Sequence, residues 1–165
     1  MRLDYNLVLS LQLQERLDFD IIYKEYYYRY NEDSRKSKGK LILDEVRRIA
    51  VFQAIGRVRE QIIWNPGRAT THLLKRIRRG HLPDETTLEQ YNAIVTFVVN
   101  NPNANVYIYV YGETIYPTLV ANVENINWLV MIGLDGVLET AFPPDGGYLA
   151  KPEFVYLGSV KELEI

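Results

Sequence analysis

Near residue 103 the hydrophobic period of this chain changes from helical to alternating, and that switch restricts the possible folds more than any other feature. Before it, residues 43–64 lack proline and repeat apolar side chains at Val46, Ile49, Ala50, Phe52, Ala54, Ile55, Val58, Ile62 and Ile63. This spacing predicts one long helix with Arg47, Arg48, Arg57 and Arg59 elsewhere on its wheel. Asn65, Pro66 and Gly67 stop it, because proline biases its predecessor away from the helical region and glycine frees the turn. A second helix is predicted from about Arg68 or Thr70 to Arg79, with Gly80 as its C-terminal stop. His81, Leu82, Pro83 and Asp84 leave that helix. Thr86 or Thr87 then caps a third, with Glu89 or Gln90 placed to reciprocate and Leu88, Tyr91, Val95 and Val98 as its buried stripe.

Past the switch, Val106, Ile108 and Val110 alternate with Tyr107, Tyr109 and Tyr111. A turn near Gly112 and Glu113 leads to a strand over 115–120. Residues 128–132 and 137–142 flank Asp135-Gly136, a dipeptide that favours a primed hairpin turn, and 154–157 make a last short strand. Helices followed by an antiparallel meander of about four to five strands describe an α+β domain.

The chain contains no cysteine, which excludes disulfides, thiolate nucleophiles and sulfur-ligated zinc and leaves the redox compartment open. No stretch approaches the ~18–20 uninterrupted apolar residues of a membrane span. Charge is divided sharply along the sequence. Residues 1–83 hold 17 Lys and Arg against 10 Asp and Glu, a net of +7, whereas residues 84–165 hold 2 against 11, a net of −9. A basic half of this kind suits nucleic acid or an acidic protein, although the two halves could equally attract each other within the fold. Residues 1–40 read as a helical and aromatic extension or neck to the main domain at 41–165. Within it, Tyr23, Tyr26, Tyr27, Tyr28 and Tyr30 sit beside Arg29. Such a cluster can stack on bases but more often packs a core or an interface.

Both histidines and the densest cationic run fall between His72 and His81. On the second helix His72, Lys75, Arg76 and Arg79 recur at spacings of three, four and seven, while Leu73, Leu74 and Ile77 point roughly the other way. Histidine, with an ordinary pKa of ~6.5, can give or take a proton near neutrality. Beside phosphate-binding cations, that is what metal-free RNA cleavage requires. Other chemistries fit less well. The acids after residue 84 are scattered, no glycine-rich loop leads into a helix, and no serine lies in a nucleophile-elbow pattern.

The His72-Lys75-Arg76 helix, the turn Gly80-His81-Leu82-Pro83, a further helix, and strands bearing Tyr109, Trp128 and Glu139-Thr140-Ala141-Phe142-Pro143 together resemble the barnase, EndoU, colicin and RelE-like ribonuclease superfamily of bacterial polymorphic and contact-dependent toxins. The likeness covers about residues 65–160. It implies cofactor-free cleavage of RNA, often tRNA, by attack of the 2′-hydroxyl on the adjacent phosphate. It implies action in the bacterial cytoplasm after delivery from a secreted parent toxin, and an acidic immunity or antitoxin protein as partner. On this resemblance His72 and His81 supply the acid and base, Lys75 and Arg76 stabilise the transition state, and Thr140 donates to the scissile phosphate. Arg68, Arg79, Tyr107, Tyr109 and Trp128 bind substrate. Two neighbours conflict: Glu139 and Thr140 alternate to opposite faces of a strand and share one site only if a bulge intervenes. A non-catalytic RNA-binding module and an assembly domain using the tyrosine-rich segment remain open alternatives.

Overall fold

The chain divides after residue 42 into two compact units, and the computed structural model describes residues 45–165. The 1–40 extension and its tyrosine cluster lie outside the described residues. The second unit is an α+β fold. Helices α1 (Glu45–Glu60), α2 (Arg68–Arg78) and α3 (Leu88–Asn100) precede strands β1 (Asn105–Tyr111), β2 (Thr114–Val123), β3 (Ile126–Ile132), β4 (Leu138–Phe142) and β5 (Phe154–Ser159). A 3₁₀ turn (Tyr148–Ala150) lies between β4 and β5, and a short α4 (Val160–Leu163) follows. The strands form one antiparallel sheet in the order β4-β3-β2-β1-β5.

Alternation along the strands sorts the sheet into two faces. Val106, Ile108, Leu119, Trp128, Val130, Leu138 and Ala141 are buried on one face, against α1 and α3. From α1 come Ala50, Val51, Ala54, Ile55 and Val58, and from α3 come Tyr91, Val95, Val98 and Val99. At roughly 1.5–3 kcal/mol for each fully buried aliphatic side chain, this layer supplies most of the driving force of the unit. The opposite face carries Val120, Leu129, Met131 and Phe154, with Tyr107, Tyr109, Tyr116, Phe142, Tyr148 and Leu149 packed around them.

Several local expectations change in the structure. The first helix ends at Glu60 rather than at residue 64, and Trp64 instead forms a parallel bridge with Leu138 on β4. Ile63 O accepts from Leu138 N at 2.8 Å and Asn65 N donates to Leu138 O at 3.3 Å. The interhelix connector thus satisfies part of an otherwise bare sheet edge. Thr87, paired with Gln90 in a reciprocal capping box, starts α3, and Leu88 is its exposed first residue instead of part of the buried stripe. The two-residue primed turn lies at Glu124-Asn125, whose φ values are 50° and 68°, between the paired Val123 and Ile126. Asp135-Gly136 belongs to a longer loop, in which only Gly136 has positive φ and Asp135 Oδ1 accepts from Val137 N.

Candidate active site

Helix α2 packs against α3 and against the edge strand β4, so its inward side chains meet the rim of the sheet rather than a flat apolar layer. This position explains a departure from the helical wheel. Leu73 is buried as expected, but Leu74 is 52% exposed, and the second buried side chain of the helix is Arg76, only 2% exposed. A long guanidinium side chain can lie along a sheet edge with its stem packed, while Leu74, two positions earlier on the helix, points outward. The Arg76 guanidinium stands 5.2 Å from the centre of the Phe142 ring, a cation–π contact. Its Nε and Nη1 are enclosed and find no hydrogen-bond partner among the described residues.

The end of α2 sets where His81 goes. Gly80, at φ +69°, donates to Ile77 O at 2.8 Å, and His81 N donates to Arg76 O at 3.0 Å. This pair of bonds is a Schellman closure, which needs a left-handed residue at the position Gly80 fills. The chain therefore folds back on its last turn, and His81 returns to the level of Arg76. Its Nδ1 is buried and also lacks a partner.

His72 is held by a column of rings. Its imidazole stacks on Trp64 at 5.8 Å, Trp64 stacks on Tyr91 at 5.5 Å, and Tyr91 meets Trp128 at 6.2 Å. The column is pinned by polar bonds: Trp64 Nε1 donates to Asn92 Oδ1 at 2.9 Å, and the Tyr91 hydroxyl donates to Ala141 O at 2.7 Å. His72 Nδ1 lies 3.4 Å from Thr140 Oγ1. The β3–β4 register shifts between Met131 and Ile132, so that Thr140 pairs with Met131 while Leu138 pairs with Ile132. Glu139 is the extra residue of this bulge, the condition under which Glu139 and Thr140 can serve one place. Its carboxylate accepts from Asn65 Nδ2 at 2.7 Å and from Arg68 at 3.3 Å.

The electrostatics follow from this crowding. Burial comes first in holding His72 below the ordinary histidine range, followed by the positive charges of Arg76, Arg68 and Lys75, while the Glu139 carbonyl, accepting from the ring, pulls upward. His81 is lowered by burial, then by Arg76 and Arg79, with Asp145 opposing. For both imidazoles Arg76 is the leading charge. Desolvation also lowers the pKa of Arg76 itself, which reflects how poorly its charge is solvated. Burial pushes the Tyr91 hydroxyl far up, so it stays protonated.

The structure therefore sets Thr140 against His72 and places Arg76 where its charge reaches both His72 and His81, with Arg68 joined to Thr140's strand through Glu139. Lys75 on α2 and Arg79 at its C-cap are exposed and act on the histidines through space. Trp128 is 2% exposed and packs on Tyr91; it is a core residue and offers no surface to a substrate, because alternation along β3 turns it toward the helices. Tyr107 and Tyr109 sit on the other face of the sheet, in the Phe154 cluster. Sequence reasoning passed over Trp64, Asn65, Tyr91 and Asn92. A tyrosine in a buried helical stripe signals that its hydroxyl needs an acceptor, but nothing local marks Trp64. Among the described residues no group of three or more His, Asp or Glu side chains could hold a metal ion, and no helix is long and apolar enough to cross a membrane.

No family model matches the chain, and no curated protein or solved structure shows significant similarity to it. A functional reading has to stand on the chemistry of these side chains.

Proposed function

We propose that this chain is a metal-independent endoribonuclease that cleaves by attack of the ribose 2′-hydroxyl on the adjacent phosphorus. The observation that carries the reading is Arg76, a buried guanidinium with two unsatisfied nitrogens whose charge bears on both histidines of the chain. A buried cation with no counter-charge is costly, and a phosphodiester entering the site would supply the missing acceptors. Arg76 is then the group that stabilises the negative charge gathering on the phosphate oxygens in the transition state. Thr140 adds a hydroxyl donor to the same phosphate.

In this mechanism His72 takes the 2′-proton as the oxygen bonds to phosphorus, and His81 gives a proton to the departing 5′-oxygen. The products are a 2′,3′-cyclic phosphate and a free 5′-hydroxyl. His72 suits the base role because its lowered pKa favours the neutral ring, with the Trp64 stack, the Nδ1 contact to Thr140 and the bond to the Glu139 carbonyl fixing its orientation. The negative charge of a phosphate bound beside Arg76 would favour the protonated form of His81 that the acid role requires. The exposed Lys75, Arg78 and Arg79 of α2 would guide RNA inward, and they are what an acidic inhibitor protein would cover if the chain serves as a toxin. Transfer RNA is the first substrate to try.

The test is incubation of the full chain with total RNA in EDTA, alongside His72→Ala, His81→Ala and Arg76→Met. Discrete fragments with cyclic phosphate ends are expected, with each histidine variant slower by about 10²–10⁴-fold while still folded. Intact RNA across pH 5–9 would overturn the reading.

A further inference from the structure

From Arg76 an unbroken series of ring contacts leads away across the sheet. The guanidinium lies on Phe142, and Phe142 meets Tyr148 edge-on at 5.3 Å. Tyr148 meets Phe154 at 5.4 Å, and Phe154 meets Tyr109 at 4.8 Å. Tyr109 stacks with Tyr111 at 6.4 Å and an interplanar angle of 16°. A branch runs from Phe154 to Tyr107 and on to Tyr156, the last pair 5.2 Å apart. The outer members are open to solvent: Tyr111 is 68% and Tyr156 54% exposed. Packing alone explains the inner rings, but not why the series ends in two tyrosines that leave more than half their surface in water.

The chemistry of the surface around them is selective. Apart from Glu139, the bulge residue of β4 paired with Arg68, the strand residues on this face are tyrosines, phenylalanines, threonines, asparagines, aliphatics and Met131. Of the acids near these strands, Glu113 lies in the β1–β2 turn and Glu153 just ahead of β5, while Asp145 lies in the loop before the 3₁₀ turn and acts on His81. Among the described residues the cations in contact with these rings are Arg76 on Phe142 and Lys151, whose Nζ is 4.4 Å over the Tyr148 ring, both at the Phe142–Tyr148 end of the series. Such a surface has rings and hydroxyls for flat, uncharged, hydrogen-bonding groups, with positive charge at one end for the anion they are attached to. Unpaired nucleobases on a phosphate backbone match it. A duplex does not, because its bases are stacked on one another and present only their edges.

Building on the nuclease reading above, we propose that this aromatic face seats the unpaired bases beside the phosphate held at Arg76, with Tyr111 and Tyr156 as the outer stacking rings, so that the substrate class is single-stranded RNA. The four steps from Tyr107 to Tyr111 span roughly 13 Å of strand, room for about two or three bases.

The experiment uses the full chain and a dye-labelled, unstructured 12-nucleotide 2′-O-methyl RNA, which has no free 2′-hydroxyl and cannot be cut, alone or annealed to its complement. Fluorescence anisotropy gives Kd for the wild type, Tyr111→Ala, Tyr156→Ala and Tyr111→Phe. Each alanine variant is expected to weaken single-strand binding about five- to 100-fold, Tyr111→Phe to bind as the wild type because stacking uses the ring, and the duplex to bind more weakly throughout. Alanine variants that bind as the wild type, or equal affinity for strand and duplex, would overturn the inference. Cleavage of unmodified RNA by the wild type together with tyrosine-independent binding sinks this inference and leaves the nuclease standing. Tyrosine-dependent binding without any cleavage sinks the nuclease and keeps the face as a single-strand binding surface.

Discussion

Replacing Arg76 by methionine should make the free protein more stable and the enzyme inactive. In the structure the guanidinium is enclosed, two of its nitrogens are unsatisfied, and its favourable contact is the Phe142 ring. Leaving a buried donor unpaired costs about 1–3 kcal/mol for each group, and a desolvated cation–π contact returns about 2 kcal/mol. Methionine keeps an unbranched stem of similar length and needs no partner. The expected gain is about 1–3 kcal/mol, or an increase in Tm of roughly 3–10 °C for a chain of this size. Denaturation should be followed in a phosphate-free buffer and repeated with added inorganic phosphate. At a phosphate concentration 100-fold above its Kd the wild type should gain about 2.7 kcal/mol and Arg76→Met nothing, which closes or reverses the gap. Loss of more than about 1 kcal/mol in Arg76→Met without phosphate would refute the reasoning, since it would mean that the guanidinium is satisfied in the free protein.

Three other outcomes follow from the same geometry. Because both histidines sit below their ordinary range, the bell of kcat/KM should peak on the acid side of pH 6.5 and fall about tenfold per unit above it, whereas an optimum above pH 7.5 would count against the acid–base assignment. Stability should rise with pH, since around the ordinary histidine pKa the unfolded chain binds protons that the folded His72 and His81 resist; the contribution is complete above about pH 6.5 and lost as pH falls through the folded values. Chemical denaturation of the wild type and His72→Asn from pH 5 to 7.5 should show a shallower slope in the variant. Gly136→Ala should cost about 2–4 kcal/mol: φ is +81°, and a Cβ there would stand 2.7 Å from Arg57 Cβ and 3.2 Å from Ala54 O. A melt within 1 °C of the wild type would contradict that packing.

The parts of the site that could be read in advance are those with local signals. The change of period announces the sheet, Gly80 announces the turn that brings His81 back, and the i, i+4 relation of His72 to Arg76 follows from helix geometry alone. The burial of Arg76 could not be read this way, since a helical wheel ranks side chains by hydrophobicity and assigns Leu74 to the interior. What decides between them is that α2 lies on a strand edge, a tertiary fact. The Glu139 bulge is equally hidden, because it exists only in register with Met131 and Ile132. The hairpin turn at Glu124-Asn125 lacks the glycine that usually marks one, whereas the Asp135-Gly136 dipeptide marks a turn of another type.

The two halves of the candidate site leave the ribosome at different times. One half comes with α2, and the other with β4, whose Thr140 is 68 residues further along the chain. A nascent chain that has emerged only as far as β3 already contains both histidines and every cation of α2, yet the strand that orients His72 and covers Arg76 is still missing. Contacts of such long sequence separation form late, after the local helices and hairpins. Synthesis of this protein would therefore pass through a basic stage in which the candidate site is incomplete, and the last fifth of the chain would complete it.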